Sequence, residues 1–197
     1  MSQNSEALNL FANAFADHLQ VITETQAQFP VLESISQAMI ATLSAGKKIL
    51  WCGNGGSAAD SQHLAAELVG RFQRNRQALA SIALTTDTSI LTSIGNDFGF
   101  EHVFSRQVQA IGAQGDLLVG MTTSGNSPNV ILAFEAARKL GITTVAFTGQ
   151  GGGKLAPLAD HLFAVPSRVT ARIQEAHTLA GHTLCDLIEI KAAGNGQ

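Results

Sequence analysis

The sequence predicts an α/β fold: a three-layer, doubly wound, five-stranded parallel sheet with extra N-terminal helices. From Lys48 onward, short apolar runs alternate with helical segments, which is typical of a parallel sheet covered by helices on both faces. Two of those runs pass directly into loops rich in glycine and hydroxyl groups, each followed by a helix. Because ligands of such sheets bind at the carboxyl ends of the strands, we expect both loops at one edge of the sheet.

The segment before Lys48 is predicted to form two helices. Its apolar residues recur at steps of three and four, which places them on one helical face. They are Leu8, Phe11, Phe15, Leu19 and Ile22. Pro30 interrupts the periodicity, which then resumes until Gly46, and a glycine at this position typically ends a helix.

The remaining elements follow in order along a single domain of residues 1–197. Strands are predicted near 48–52, 80–85, 116–121, 143–148 and 161–165. Helices are predicted near 57–73, 88–95, 101–112, 128–140, 153–159 and 170–191. Residues 1–45 are expected to serve packing or oligomerisation, and residues 46–191 to form the ligand-binding core.

Composition argues against several classes of function. Only 14% of residues are charged and 45% are hydrophobic, which favours a surface partly covered by other subunits. The net charge of −3 argues against nucleic acid as a main partner, and the arginines between Arg71 and Arg76 are interpreted as a solvated helix end. No apolar run is long enough for a membrane span and no signal pattern is present, so we expect a cytoplasmic protein. Cys52 and Cys185 are predicted to be buried small hydrophobes.

The loop after the first strand contains Asn54, Gly55, Gly56 and Ser57. A strand, a glycine-rich turn and a helix N-terminus direct unpaired N–H groups at one point, which suits an anion such as phosphate. Ser57 is predicted to cap the helix, with Asp60 completing a capping box. Taken alone, the loop is equally well explained as a tight turn.

The loop after the third strand carries four hydroxyl groups within six residues. They belong to Thr122, Thr123, Ser124 and Ser127, and Pro128 then suits the first turn of a helix. Hydroxyls and backbone amides bind phosphate without a fixed positive charge. Because two such junctions are less expected by chance than one, the sequence predicts a phosphate site here.

Two helices carry side chains suited to metal binding or proton transfer. His63 and Glu67 lie four residues apart on one helical face, where they could hold a metal ion or divide proton-transfer work. An ordinary surface pair is the alternative. Gln174 and His182 lie eight residues apart, about 80° around the helix axis, so they can converge without being forced to.

Three further features of the sequence are less specific. Asn96 and Asp97 form a polar pair between apolar neighbours, which fits either a turn or contacts with sugar hydroxyls. Glu175 shares a helical face with His182, and His177 is interpreted as a structural histidine.

These motifs resemble those of the sugar isomerase (SIS) domain proteins, and among them the bacterial phosphoheptose isomerases. The similarity covers roughly residues 35–190. It is carried by Cys52 to Ser57, Gln62 to Glu67, Gly95 to Phe100, Thr123 to Ser127, and Arg172 to Glu175 with His182. The resemblance implies the SIS fold, with a flavodoxin-like strand order.

The resemblance implies an aldose–ketose isomerase, that is, an intramolecular oxidoreductase. Its reaction converts sedoheptulose 7-phosphate into D-glycero-D-manno-heptose 7-phosphate through an enediol. This is the first step towards the ADP- or GDP-heptose of lipopolysaccharide or related glycans. A homotetramer with active sites at subunit interfaces is also implied, without a nucleic acid or membrane partner.

The same resemblance implies roles for individual residues. Glu67 and His182 act as base and acid, and a zinc ion is held by His63, Glu67, Gln174 and His182. The residues implied in substrate binding are Asn54, Gly55, Gly56, Ser57, Glu67, Asn96, Asp97, Thr122, Thr123, Ser124, Ser127 and Gln174. Ala171 stands where some members have Asp, so the supporting contact of those members is not expected here.

Two other SIS functions are alternatives. The DnaA initiator-associating protein is a tetrameric scaffold without isomerase activity, and the final helix of this chain is similar to it. Glu67 and His182 favour the enzyme, because that relative replaces both. A sugar-phosphate sensor without catalysis is the third possibility, and the lack of a preceding DNA-binding segment counts against it.

Overall fold

The computed structural model describes residues 3–194, with side chains described over 6–193. Its helices are α1 (Gln3–Thr25), α2 (Phe29–Ser44), α3 (Gly56–Val69), α4 (Thr88–Asp97), α5 (Ser105–Ile111), α6 (Pro128–Lys139) and α7 (Thr170–Gly194). Its strands are β1 (Ile49–Gly53), β2 (Ser81–Ala83), β3 (Leu117–Thr122), β4 (Thr143–Thr148) and β5 (His161–Ala164). Three short 3-10 helices cover Gln26–Gln28, Phe100–His102 and Gly153–Leu158. The outermost residues of the predicted domain, 1, 2 and 195–197, lie outside the described part.

The five strands are parallel, in the order β2-β1-β3-β4-β5. This confirms the predicted flavodoxin-like order. The direction of winding reverses between β1 and β3, and ligands of open α/β sheets bind at such a switch point. Both predicted phosphate loops follow these two strands, so topology alone brings them side by side.

The side chains of β1 divide the core into two layers. Ile49 and Trp51 pack with α2, α3 and α7 on one face, whereas Leu50 and Cys52 pack with α4, α5 and α6 on the other. Every residue of β1 is buried, as expected for a central parallel strand covered on both faces. The predicted three-layer arrangement is therefore confirmed.

Two predicted helices end differently from the sequence expectation. Helix α3 ends at Val69, and residues 70–77 form an irregular segment. The interpretation of Arg71 to Arg76 as a solvated helix end is therefore wrong, and the Arg76 side chain is only 1% exposed. The helix predicted near 101–112 is interrupted between Phe100–His102 and Ser105–Ile111.

Helix α1 carries the predicted apolar face, but the chain itself leaves most of it exposed. Leu8, Phe11, Phe15 and Leu19 are 65–70% exposed, whereas Ile22 packs against the core. Polar contacts attach α1 to the start of α7: His18 Nδ1 lies 2.7 Å from Glu175 Oε2. These contacts fix the position of α1 on the domain, while its apolar face remains exposed in the single chain.

Candidate functional site

Helices α3 and α7 run side by side in the same direction and meet along a polar seam. Three contacts mark its successive levels. At the first, the Gln174 amide packs against Gly56, where an added Cβ would lie 2.5 Å from Gln174 Nε2. The next two are Thr178 Oγ1 to Asp60 Oδ1, at 3.2 Å, and His63 to His182. We call these residues the α3–α7 seam.

The third level brings together three potential ligands or acid–base groups. His63 Nε2 lies 2.7 Å from His182 Nε2 and 3.5 Å from Glu67 Oε1. Ligand atoms of all three side chains lie within 4.8 Å of one another. Because the two Nε2 atoms face each other, a proton or a cation must lie between them to avoid opposing lone pairs.

The chemistry of this group fits a zinc ion. Two imidazole nitrogens and a carboxylate oxygen form a common zinc ligand set, with metal–ligand distances of about 2.0–2.2 Å. Tetrahedral ligands at such distances stand about 3.3 Å apart, so the two Nε2 atoms would need to separate by about 0.6 Å relative to their 2.7 Å spacing. Gln174, the fourth predicted ligand, packs against Gly56 at the first level of the seam.

Helix α3, which follows the glycine loop after β1, begins at a glycine N-cap and not at the predicted serine cap. Gly55 is the N-cap residue, with φ 56°, and a positive φ of this size favours glycine. Ser57 therefore lies inside the first turn and is 3% exposed, so its prediction as the cap is wrong. The predicted capping box is also wrong, because the Asp60 carboxylate accepts a hydrogen bond from Thr178 on α7.

The hydroxyl loop after β3 gathers three of its four hydroxyl groups. Thr122 Oγ1 lies 2.8 Å from Ser127 Oγ and 3.4 Å from Ser124 Oγ. The backbone N–H of Asn126 donates to Ser124 Oγ at 3.1 Å. The backbone of Thr123 has a different role: its carbonyl accepts a hydrogen bond from the N–H of Gly149 at 3.0 Å. This contact joins the hydroxyl loop to the loop after β4.

A pair of amide side chains connects the two loops across the switch point. Asn54 Nδ2 donates to Asn129 Oδ1 at 2.9 Å, and Asn129 Nδ2 donates to Asn54 Oδ1 at 2.8 Å. Asn129 lies in the first turn of α6, which begins directly after the hydroxyl loop. The N-termini of α3 and α6 are thereby held next to one another, and both carry the partial positive charge that favours anions.

Asn96 and Asp97 lie apart from these contacts, at the exposed C-terminal end of α4. Asn96 Nδ2 donates to Asp97 Oδ1 at 2.7 Å. Within the described part of the chain, no hydrogen bond joins this pair to the glycine loop or the hydroxyl loop. Their predicted role in sugar binding stays a prediction.

The protonation of the half-buried Asp60 and of the buried His177 is set by their surroundings. Burial raises the pKa of Asp60 above its ordinary value, although Thr178, His63 and His182 act in the opposite direction. Burial lowers the pKa of His177 to about 4, and its Nε2–H donates to Thr148 O at 3.1 Å. His177 is therefore neutral and structural, as predicted.

Sequence reasoning overlooked Phe72 and Asn129 as parts of the site, and misread Asp60. The Phe72 ring stacks on the His182 imidazole, with centroids 5.3 Å apart and planes at 21°. No periodic pattern marks Phe72, because it lies in the irregular segment after α3. Asn129 and Asp60 each lie within a turn of a recognised loop, and their polarity near a helix N-terminus was an available signal.

Comparison with known proteins identifies the family of this chain. The family model described as SIS domain matches residues 10–149. A phosphoheptose isomerase of Akkermansia muciniphila is 56% identical over 163 residues, which cover 83% of this chain and 86% of that protein. The chain belongs to the phosphoheptose isomerase family of SIS-domain proteins.

Two further members of the phosphoheptose isomerase family support the assignment. The enzyme of Paramagnetospirillum magneticum is 54% identical over 179 residues, covering 90% of this chain and 93% of that protein. The solved structure of the Neisseria gonorrhoeae phosphoheptose isomerase aligns with a TM-score of 0.88 at 47% identity, covering 93% of this chain and 98% of that one. None of the helices in residues 3–194 has the length and apolar composition needed to cross a bilayer.

Proposed function

We propose that this protein interconverts sedoheptulose 7-phosphate and D-glycero-D-manno-heptose 7-phosphate. The observation that carries the proposal is the convergence of His63, Glu67 and His182 at one level of the seam. Ser57 precedes His63 by six residues on α3, about 9 Å along the helix axis. That separation suits a sugar with a phosphate at one end and its reacting C1 and C2 at the other.

The substrate phosphate is proposed to bind between the N-termini of α3 and α6. Ser57 lies in the first turn of α3, and Ser124 and Ser127 present hydroxyls before α6. Helix N-termini attract phosphate through free N–H groups and their partial positive charge. Binding energy gained at the phosphate would orient the distant carbons for reaction.

Glu67 and His182 are proposed to move the protons. Ketose-to-aldose conversion transfers a proton between C2 and C1 through an enediol, so one carboxylate can remove and return it. Glu67 is suited to this role because its side chain is 20% exposed and therefore accessible. His182 would transfer protons at the sugar oxygens, assisting ring opening and enediol formation.

A zinc ion is proposed to bind to His63, Glu67 and His182, with Gln174 as the fourth predicted ligand. When bound there, zinc would supply positive charge that stabilises the negative oxygen of the enediolate. The donor set supports this proposal, because imidazole and carboxylate ligands suit zinc.

A homotetramer is proposed as the active form. The support is the α1 face, whose phenylalanines Phe11 and Phe15 are 66% and 70% exposed in the single chain. Large exposed apolar surfaces of this kind mark contacts with other subunits. A location in the cytoplasm, where sugar phosphates are made and used, completes the proposal.

The direct experiment is incubation of the purified protein with sedoheptulose 7-phosphate while aldose formation is followed. Glu67→Gln keeps the shape of the side chain but removes the base, and kcat is expected to fall by roughly 10²–10⁴-fold. An inactive wild-type protein that captures the DnaA initiator would establish the scaffold alternative. Substrate binding without any turnover would establish the sensor.

A further inference from the structure

Glu189, near the end of α7, is a fully buried carboxylate that serves no role in the chemistry described above. Its oxygens accept hydrogen bonds from the backbone N–H groups of Phe72 at 2.7 Å, Gln73 at 2.8 Å and Arg74 at 2.9 Å. Arg76 Nη2 lies 3.1 Å from Glu189 Oε1. Burial raises the pKa of this carboxyl group, but the three backbone N–H groups and Arg76 outweigh it, so the net shift is downward.

Arg76 extends the same network to the end of α3. Its side chain is 1% exposed, and Nη2 donates to the carbonyl of Glu67 at 2.7 Å. Nη1 donates to the carbonyl of Gly70 at 2.9 Å. A guanidinium placed here donates to carbonyls that have no partner within the helix. Its positive charge also interacts favourably with the partial negative charge at the C-terminal end of α3.

The segment held in this way carries Phe72, whose ring stacks on His182. We call Glu189, Arg76 and the backbone of residues 72–74 the Glu189 clamp. The clamp is therefore linked to both proton-transfer residues. Arg76 binds the backbone of Glu67, and Glu189 holds the backbone of Phe72, whose ring packs on His182. A buried ion pair adds little net stability relative to apolar residues, so a positioning role explains its presence better than stability does.

We propose that Glu189 and Arg76 are positioning residues, which fix Phe72 against the His182 imidazole and so set the orientation of that ring for proton transfer. The inference rests on the proposed isomerase function. Without the carboxylate, three backbone N–H groups lose their acceptor and Arg76 is left as an unpaired buried charge. The 70–77 segment then moves, and the His182 ring loses the surface that limits its rotation.

The spectroscopic test is independent of activity. A ring stacked at a centroid distance of 5.3 Å shifts the carbon-bound imidazole protons of His182, which NMR can record in the full-length protein. Phe72→Leu removes the aromatic ring and so gives the reference chemical shift of the His182 protons without stacking. Glu189→Gln is expected to move the His182 protons towards that value, whereas Phe72→Tyr retains the ring and is expected to retain the shift.

The kinetic test uses the same variants. Glu189→Gln and Phe72→Leu are each expected to lower kcat by roughly tenfold, the effect of a small misplacement of a catalytic group, with little change in KM. The kcat of the double variant is expected to be no lower than that of the less active single variant, because both substitutions act through the same contact. Phe72→Tyr keeps an aromatic ring and is expected to lose less kcat than Phe72→Leu.

Asp116→Asn is the matched control. Asp116 is 1% exposed and accepts from the backbone N–H of Lys48 at 3.1 Å and of Ala113 at 2.8 Å, with Lys48 Nζ 2.6 Å away. It has the same chemistry as Glu189 but lies at the amino edge of the sheet, next to the start of β3. This variant is expected to destabilise the protein while leaving kcat and the His182 shifts unchanged.

The outcomes separate the positioning role from the proposed function. Unchanged His182 shifts in Glu189→Gln overturn the inference, and so does a changed shift with wild-type kcat in an active enzyme. An equal loss of kcat in Asp116→Asn overturns it too, because general destabilisation then explains the effect. If the wild-type protein has no isomerase activity, the proposed function fails, and the part of the inference that concerns proton transfer fails with it. The NMR shifts still decide whether the clamp holds Phe72 against His182.

Discussion

Gly181 lies at a point of close contact between α3 and α7, one residue before His182. A Cβ added at this position would lie 2.5 Å from Leu64 Cδ1 and 2.7 Å from Leu64 Cδ2. Ordinary contacts of a Cβ begin at 3.4 Å, so one of the helices or the Leu64 side chain must shift by about 1 Å. Leu64 is fully buried, so its side chain can shift only by displacing other core side chains. Gly181→Ala should therefore strain the seam beside the catalytic group.

The expected magnitude combines two opposing effects. Overpacking a tight core costs about 1–3 kcal/mol, whereas replacing a helical glycine by alanine stabilises by about 0.5–1 kcal/mol. The net destabilisation of Gly181→Ala is then about 0–2.5 kcal/mol. For a chain of this size, each kcal/mol lowers the melting temperature by about 2–4 °C.

Gly95→Ala is the matched control for this prediction. Gly95 also lies within a helix, α4, and its added Cβ would meet no atom within 4 Å. It receives the helix stabilisation without the clash, so the two variants should differ by the overpacking cost of about 1–3 kcal/mol. Thermal unfolding of both variants under identical conditions measures this difference. Equal melting temperatures would refute the close packing of α3 and α7 at Leu64.

Three other substitutions give separate tests. His63→Ala is expected to reduce the zinc bound per chain, measured by metal analysis after dialysis, while the far-UV circular dichroism stays unchanged; wild-type zinc content would remove His63 from the ligand set. Ser124→Ala should raise KM for sedoheptulose 7-phosphate by roughly tenfold, the value of one lost hydrogen bond to a charged group, and an unchanged KM would place the phosphate elsewhere. Lys48 and backbone N–H groups lower the pKa of Asp116 despite its burial. Because the folded pKa lies below the ordinary value of 3.8, the carboxylate stabilises the fold above that pH and loses this effect as the pH falls through the folded pKa. Asp116→Asn should therefore unfold more easily than wild type at pH 7, and this difference should shrink as the pH falls below 3.8 through the folded pKa; a difference independent of pH would contradict this.

The local parts of the candidate site were predictable because short-range geometry fixes them. His63 and Glu67 are four residues apart, and any α-helix puts them on one face. The hydroxyl groups of Thr122, Ser124 and Ser127 share one tight loop after a buried strand. Neither feature depends on distant parts of the chain.

Predictions failed where a distant residue or a special backbone conformation decided the outcome. Ser57 has the chemistry of a helix cap, but the positive φ of Gly55 lets the helix begin earlier. Arg76 has the composition of a solvated segment, yet Glu189 on another helix buries it. Phe72 carries no periodic signal, because its position is set by hydrogen bonds to a carboxylate 117 residues away in the chain.

The sequence by itself determined the alternation of strands and helices, the two loops and the identity of each polar side chain, because these follow from local periodicity and turn chemistry. Only the tertiary structure decided that His182 meets His63, 119 residues earlier in the chain. The physical reason is the parallel packing of α3 and α7 on one face of the sheet, which depends on small residues such as Gly56 and Gly181 at the points of contact. Spacing within one helix cannot specify which other helix lies against it.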